Sequence, residues 1–517
     1  MATTRTNVWE LDDWADEILW YARGVKAMKA RPLADPTSWR FYAAMHGLDS
    51  ALWRAFGYLS ASDTMPGQPL IARFWSQCQH GSWYFLPWHR GYLLAFEANI
   101  RAAIKGLPGA PTDWALPYWN YFKPQQADLP PAFASQDWPD GQGDNPLFVE
   151  QRYGPGNDGH VFVDLNFVNL KAMTEPDFTG VASGGSRGFG GIDTGFMHGG
   201  RMHGRLEQQP HDNVHGLVGG ADPQDGTLPG LMSDPDTAGL DPIFWLHHAN
   251  IDRLWQVWRQ NPASHVDPTV STWMKGPASV GQRIFSMPMP NGVPPFDYTP
   301  GDMINLAKLG YTYDDLSPVA TFQPLARLLA LGMPAAAADA IGGPGVMPSG
   351  KNVELVGASQ ESLRVEGNEV RTTVQLDPGV RRKVSASLAS AADLSAPGPN
   401  VAPDRIFLNL ENVRGLADST VFQVYVGVPR AAAAAPQPEQ LAGSVGLFGV
   451  RKASAASGEH AGQGLSFALE ITDIVDALHL NSALDVDSLH VRIVPASPVP
   501  EAAKITIERV SVFRQGS

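Results

Sequence analysis

Two kinds of hydrophobic spacing divide the chain. Up to about residue 325, apolar side chains recur every three or four positions, as in helices that bury one face. Ile18, Leu19, Ala22, Val25 and Met28 form the first such stripe, and Pro32 stops it. A second segment, SWRFYAAMHGL, follows Thr37, read as its N-cap, and carries His46. The spacing returns over residues 90–105 (RGYLLAFEANIRAAIK), near Pro210, and across FWLHHANIDRLWQVW. Between about 123 and 200 the chain is rich in Pro, Gly and Asp, which reads as long loops over a scaffold. Loops of that length often shape a site. Further on, GMPAAAADAIGGPGVMPSGKN has the small, charge-poor composition of a linker. The runs after it, VRTTVQL, RIFLNLENV, VFQVYVGV, LSFALEI, LHVRIV and KITIERVSVF, alternate with period two. The expected architecture is a mostly α domain over 1–325, a linker over 326–352 and an all-β sandwich over 353–517.

Composition narrows the options. The 517 residues suffice for two or three domains and at least one large buried core. A formal charge of −14 disfavours nucleic acid and anionic membrane surfaces as partners. No run of 18 apolar residues offers a membrane span. The opening MATTRTNVWELDDWADEIL places acids and tryptophans where a secretory leader has a basic start and an apolar core. Cytoplasmic residence is therefore the expectation, with helper-dependent export left open. The single Cys78 allows no intramolecular disulfide.

Histidine changes the picture most. Ten of the fourteen lie between His46 and His248. In PHDNVHGLVGG, His211 and His215 are four apart and project from one helical face. DPIFWLHHANIDRLW adds His247 and His248, of which only one can join them, since helical neighbours point about 100° apart. Upstream, CQHGSWYFLPWHR carries His80 and His89, with His46 before them. Each group can supply three imidazoles, ligands that suit copper, zinc, iron or nickel. Asp212 follows His211 and there is no HExxH, so this is not a zinc-protease helix. A zinc or iron hydrolase would also be expected to bridge its metals with a carboxylate, which two all-imidazole triads lack.

Taken in order, these strings resemble the type-3 copper proteins: tyrosinases, polyphenol oxidases, catechol oxidases and hemocyanins. CQHGSWYFLPWHRGYLLAFE, followed by LPYWNYF, resembles the copper A segment. RMHGRLEQQPHDNVHGLVGG followed by DPIFWLHHANIDRLW resembles copper B. The resemblance spans residues 10–320 and implies a four-helix bundle around two copper ions. It assigns His46, His80 and His89 to copper A and His211, His215 and His248 to copper B, with His247, His198 and His203 near the site but not ligands. Cys78 and His80 resemble a pair joined by a thioether in some members. Glu207 matches an acid that positions a water, and Asp212 stands where efficient monophenol hydroxylases often have Asn. Phe244 and Gly216 are assigned to the substrate pocket, Trp245 to pocket or core, and Asp252 and Arg253 to a structural ion pair.

The implied reaction is oxidation of catechols to o-quinones by dioxygen, with ortho-hydroxylation of monophenols beside it. Its partners would be phenolic small molecules; a homo-oligomer is left open. An o-aminophenol oxidase and a hemocyanin-like oxygen carrier are the alternatives. The tail, from DRIFLNLENV to KITIERVSVF, resembles the domain that keeps plant-type polyphenol oxidases latent. A loop over about residues 429–448 is expected to plug the pocket, with Leu441 as its tip.

Overall fold

The computed structural model of the chain describes residues 2–139, 143–260, 265–318, 327, 329–332, 352–392, 403–428, 438–458, 460–480 and 486–516. Among the described helices of its first half are α1 (Asp16–Lys29), α2 (Trp39–His46), α3 (Phe85–Ile104), α4 (Asn213–Gly219) and α5 (Pro242–Gln260). The predicted stripe of α1 faces inward, with Ile18, Ala22, Val25 and Met28 buried against α3. Gly24 permits that approach, because a Cβ there would lie 2.8 Å from Ile100 Cγ2. The cap of α2 is Ser38, whose hydroxyl accepts the Phe41 N–H at 3.1 Å. Thr37 is one residue too early; its hydroxyl serves Asp35 and Arg31 instead.

α3 and α5 pack on one another at the centre. Behind them Asp252 accepts from Arg90 (2.5 Å), Arg5 (3.3 Å), Tyr311 (2.6 Å) and Tyr313 (2.5 Å). A buried carboxylate needs such complete pairing. The expected Asp252–Arg253 pair is not formed: Arg253 points elsewhere and donates to Asn250 and the Asp315 carbonyl. Trp245 stacks on Phe96 with centroids 3.5 Å apart, a core residue and not a pocket wall.

The second half is one antiparallel sheet of nine strands: β1 (Asn352–Ala358), β2 (Leu363–Val365), β3 (Val370–Leu376), β4 (Arg405–Arg414), β5 (Val421–Gly427), β6 (Gln440–Gly446), β7 (Leu465–Glu470), β8 (Ser488–Pro495) and β9 (Ile505–Gly516). Their spatial order is β6-β5-β8-β3-β1-β9-β4-β7, with β2 on β9. The ends of this path meet, since Gly443 of β6 leaves room for Leu469 of β7, so the sheet curls into a barrel-like body. Among the described residues three helices accompany it: α6 (Pro378–Ala392), α7 (Val450–Ser454) and α8 (Thr472–Leu480). Residues 333–351 of the expected linker lie outside the described residues.

The sheet body covers the helical body through a largely polar face. Glu175 and Arg205 of the helical body meet Arg405 and Glu470 of the sheet in a four-charge ring. Arg205 lies 2.8 Å from Glu175 and 2.6 Å from Glu470, and Arg405 lies 2.8 Å and 2.9 Å from the same two. Burial would raise both carboxyls, but the two guanidiniums outweigh it and hold Glu470 well below the usual range and Glu175 below it. Two apolar side chains, Val421 and Phe448, cross the seam and join the helical core. Among the described residues no helix is long and apolar enough to cross a membrane.

Candidate metal centre

Four helices, a loop and a π-helical turn bring the histidines together. His46 ends α2, His89 lies in the first turns of α3, His215 is on α4, and His247 and His248 are on α5. His80 follows Cys78 in a loop. His211 sits in the π-helical turn Glu207–Asp212 that runs into α4, so the helical spacing with His215 still holds. Two buried groups result: His46, Cys78, His80 and His89, and His211, His215, His247 and His248. Within each, the candidate donor atoms all lie within 4.8 Å of one another.

Most of the rings are oriented in the same way. Nδ1 donates to a fixed acceptor: His46 to the Pro235 carbonyl (2.6 Å), His89 to Phe85 (2.8 Å), His215 to Met232 (2.7 Å) and His211 to the Asp212 carboxylate (2.9 Å). This fixes the tautomer and leaves Nε2 as a lone pair. Nε2 of His46 and His211 has no hydrogen-bond partner although buried, and those of His215 and His248 face each other at 3.4 Å. Burial, reinforced for most of the rings by neighbouring imidazoles, pushes all six expected ligands well below the usual histidine range, His46 to about 4. Converging, neutral, unpaired imidazole nitrogens are costly in an apolar interior and are what a metal ion requires. The residues fit two such ions.

Both members of the adjacent pair offer a nitrogen to the second group, though their rings face different ways. The His248 ring stacks on His89 across the two groups at 4.3 Å, whereas His247 turns its Nδ1 to the Tyr121 hydroxyl at 3.4 Å. Cys78 Sγ lies 3.6 Å and 3.7 Å from the two ring nitrogens of His80, and 3.4 Å from His89 Nε2.

Glu207 accepts the Gly81 N–H at 2.9 Å and the Gly204 N–H at 3.3 Å, next to His80; burial lifts its carboxyl to about 8. Asp212 is fully buried behind the second group: one oxygen takes His211, the other takes His203 Nδ1 at 2.7 Å. Both of its oxygens are thus engaged, and it orients a candidate ligand from behind. Burial pulls His203 down, but Asp212 and Glu207 raise it further, to about 10. Phe244 lies against His248 (4.2 Å) and His46 (4.9 Å). Gly216 adjoins the covering domain, its Cβ position 2.9 Å from Val421 Cγ2. It also lines a cleft of about 420 Å³ between the domains, with Asn157, Asp222 and Ser419.

Leu441 is not the plug: its side chain is 44% exposed on β6. Phe448, just after that strand, lies against the histidines instead. Its ring stacks on His215 at 4.2 Å and 22°, and meets His80 and His211 edge-on at 5.5 Å and 5.6 Å. Phe85 also went unnoticed in the sequence, although it touches His89 at 4.5 Å and His211 at 4.8 Å. Its position four before His89 was the available signal.

Comparison with known proteins places this geometry in a class. The common central domain of tyrosinase matches residues 36–167 and 166–261, and a domain of unknown function matches 352–515. The chain is 34% identical to tyrosinase HcTyr1 of Hahella sp. (strain CCB-MM4) over 99% of both chains. It is 29% identical to the chloroplastic (+)-larreatricin hydroxylase of Larrea tridentata, over 57% of this chain and 46% of that one. The fold resembles latent apple tyrosinase (TM-score 0.57, 21% identity, covering 100% and 97% of the two chains). It likewise resembles a latent aurone synthase (0.58, 18%, 100% and 89%). The chain belongs to the tyrosinase family, and is an oxidoreductase of the type-3 copper class.

Proposed function

We propose that this chain is a latent polyphenol oxidase that oxidises o-diphenols to o-quinones with dioxygen and ortho-hydroxylates monophenols. His46, His80 and His89 hold one copper; His211, His215 and His248 hold the other. The observation that carries the reading is the pair of buried imidazole groups in which Nδ1 donors fix the rings of His46 and His211 and leave their Nε2 without a partner. Two copper ions bound there would supply the two-electron oxidation, and three imidazoles without a carboxylate leave each ion open to a small molecule.

The chain's own residues do the rest. A phenol ring stacks on His215, the face that Phe448 now covers. Phe85 and Phe244 keep water from the imidazole rings. Glu207, beside the Gly81 N–H, holds a water that can take the phenolic proton. A thioether from Cys78 to His80 would fix that ring's rotation, and the sulfur is already beside it. Phe448 keeps the enzyme latent by occupying the substrate's place. The helical body is the catalytic domain and the sheet body its cover.

Loading the purified chain with copper, counting bound metal and following quinone formation from catechol tests the reading. Two coppers per chain with turnover, raised by Phe448→Ala, is the expected result. Two bound coppers without catechol turnover in Phe448→Ala would leave oxygen carriage as the better account, and preferred turnover of o-aminophenols would reassign the substrate.

A further inference from the structure

The covering domain does more than stop the pocket. Helix α7 begins two residues after Phe448 and presents Arg451 and Lys452 to the catalytic domain. Lys452 Nζ lies 2.8 Å from Asp236 Oδ1 and 2.9 Å from His198 Nε2. His198 Nδ1 faces the Cys78 carbonyl at 3.1 Å. A carbonyl only accepts, so Nδ1 carries the proton and Nε2 is the acceptor of the ammonium. Arg451 pairs with Asp234, and its backbone N–H donates to Asp418 at 3.0 Å.

Both contacts end on the supports of one histidine group. Between Asp234 and Asp236 stands Pro235, whose carbonyl takes His46 Nδ1 at 2.6 Å. That loop is pressed against the chain leaving His46: a Cβ on Gly47 would fall 2.2 Å from Asp236 Oδ1. His198 backs the strip that carries Cys78 and His80, bridging to Gln79 as an isolated β-pair. Lys452 therefore joins the loop that aims His46 to the segment that carries His80. In the second group His211 and His215 are aimed by Asp212 and Met232 of their own domain, and the cover meets that turn through a neutral contact, Ser444 accepting from Gln209 at 2.8 Å.

Resting on the dicopper reading, we infer that Lys452, with Arg451 beside it, is a positioning residue for the His46 group, so that the covering domain supplies, through these two cations, part of the outer support of that copper. Groups that orient metal ligands typically change metal affinity about 10–100-fold when removed.

The test uses full-length chains loaded with copper and titrated against a chelator of known affinity, so that equilibrium and not access is read. Lys452→Met should weaken one of the two coppers 10-fold or more and leave the other unchanged, and Lys452→Arg should restore most of the loss. Phe448→Ala opens the pocket without touching these contacts and should weaken neither copper selectively. In a His215→Ala background, which keeps only the His46 group, Lys452→Met should strip the remaining copper; in a His46→Ala background it should change nothing. His198→Ala, which removes the other end of the bridge, should reproduce the selective loss if Lys452→Met fails to fold. Two coppers held by Lys452→Met as tightly as by the parent chain, whatever its turnover, would overturn the inference and leave Lys452 a plain latch. Fewer than two coppers in the parent chain would instead overturn the dicopper reading, and this inference with it.

Discussion

The two histidine groups are built from the same side chains by opposite means. The His211 group is local: a single turn and helix carry His211 and His215, the next long helix brings His248, and the orienting acceptors lie within 17 residues of the rings they hold. The His46 group is assembled from a helix end, a loop and a second helix, and its key acceptor, Pro235, is 189 residues away in the chain. A local site inherits its geometry from helix periodicity. A dispersed one must be held by contacts between distant parts of the chain, and here some come from another domain. The comparison explains why a covering domain can matter to one metal more than to the other.

Removing a ligand from either group gives the largest expected effect. His215→Ala and His46→Ala should each lower catechol turnover by about 1000-fold or more, some 4 kcal/mol of barrier, and reduce bound copper from two to one. If the groups differ as described, His46→Ala leaves the His211 group binding copper at its ordinary affinity, whereas His215→Ala leaves a copper still sensitive to Lys452. His247→Gln, turned towards Tyr121, should keep both metals. Loss of a copper on that change would put His247 in the place given to His248.

Next comes the stopper. Phe448→Ala should raise turnover of bulky catechols about 10–100-fold, equivalent to roughly 1.4–2.7 kcal/mol. Leu441→Ala, on an exposed strand position, should leave it unchanged. Equal rates for Phe448→Ala and the parent chain would show that the ring moves aside unaided. The contrast also shows how far the sequence could be read. Alternation along QLAGSVG identifies a strand whose side chains point in and out by turns, but which parity faces solvent depends on the neighbours β5 and β7. The stopper sits past the strand end, at Phe448, where no period applies. The histidine strings were legible because helical spacing and motif order carry them. The reach of Lys452 to His198, 254 residues away, leaves no such trace.

A smaller effect concerns pH and the seam. Glu175 and Glu470 are held below the usual carboxylate range by Arg405 and Arg205, against the pull of burial. A depressed acid contributes stability that is present above its separated value, about 4.3 for glutamate, and is lost as pH falls through the docked value. Docking should therefore be flat from neutral pH down to about pH 5 and weaken only below the ordinary glutamate range. Glu470→Gln should loosen the seam at neutral pH and flatten that acid response, read as small-angle scattering or protease sensitivity against pH. A transition centred near pH 6 in the parent chain would point to a histidine at the seam instead of this ring.

The smallest expected change concerns Asp212. Asp212 follows a ligand at a position associated with monophenol hydroxylation, and a carboxylate there invites a role as a base. In the structure both of its oxygens are engaged, one by His211 and one by His203, and the side chain is fully buried. Asp212→Asn retains the acceptor for His211 and weakens only the charge beside His203. The ratio of monophenol to diphenol turnover should then stay within about twofold, below the 1.4 kcal/mol that a tenfold change represents, while copper at the His211 group becomes easier to remove. A tenfold change in that ratio with copper affinity intact would return Asp212 to the substrate side of the centre. It would also mean that the local group is no more self-contained than the dispersed one.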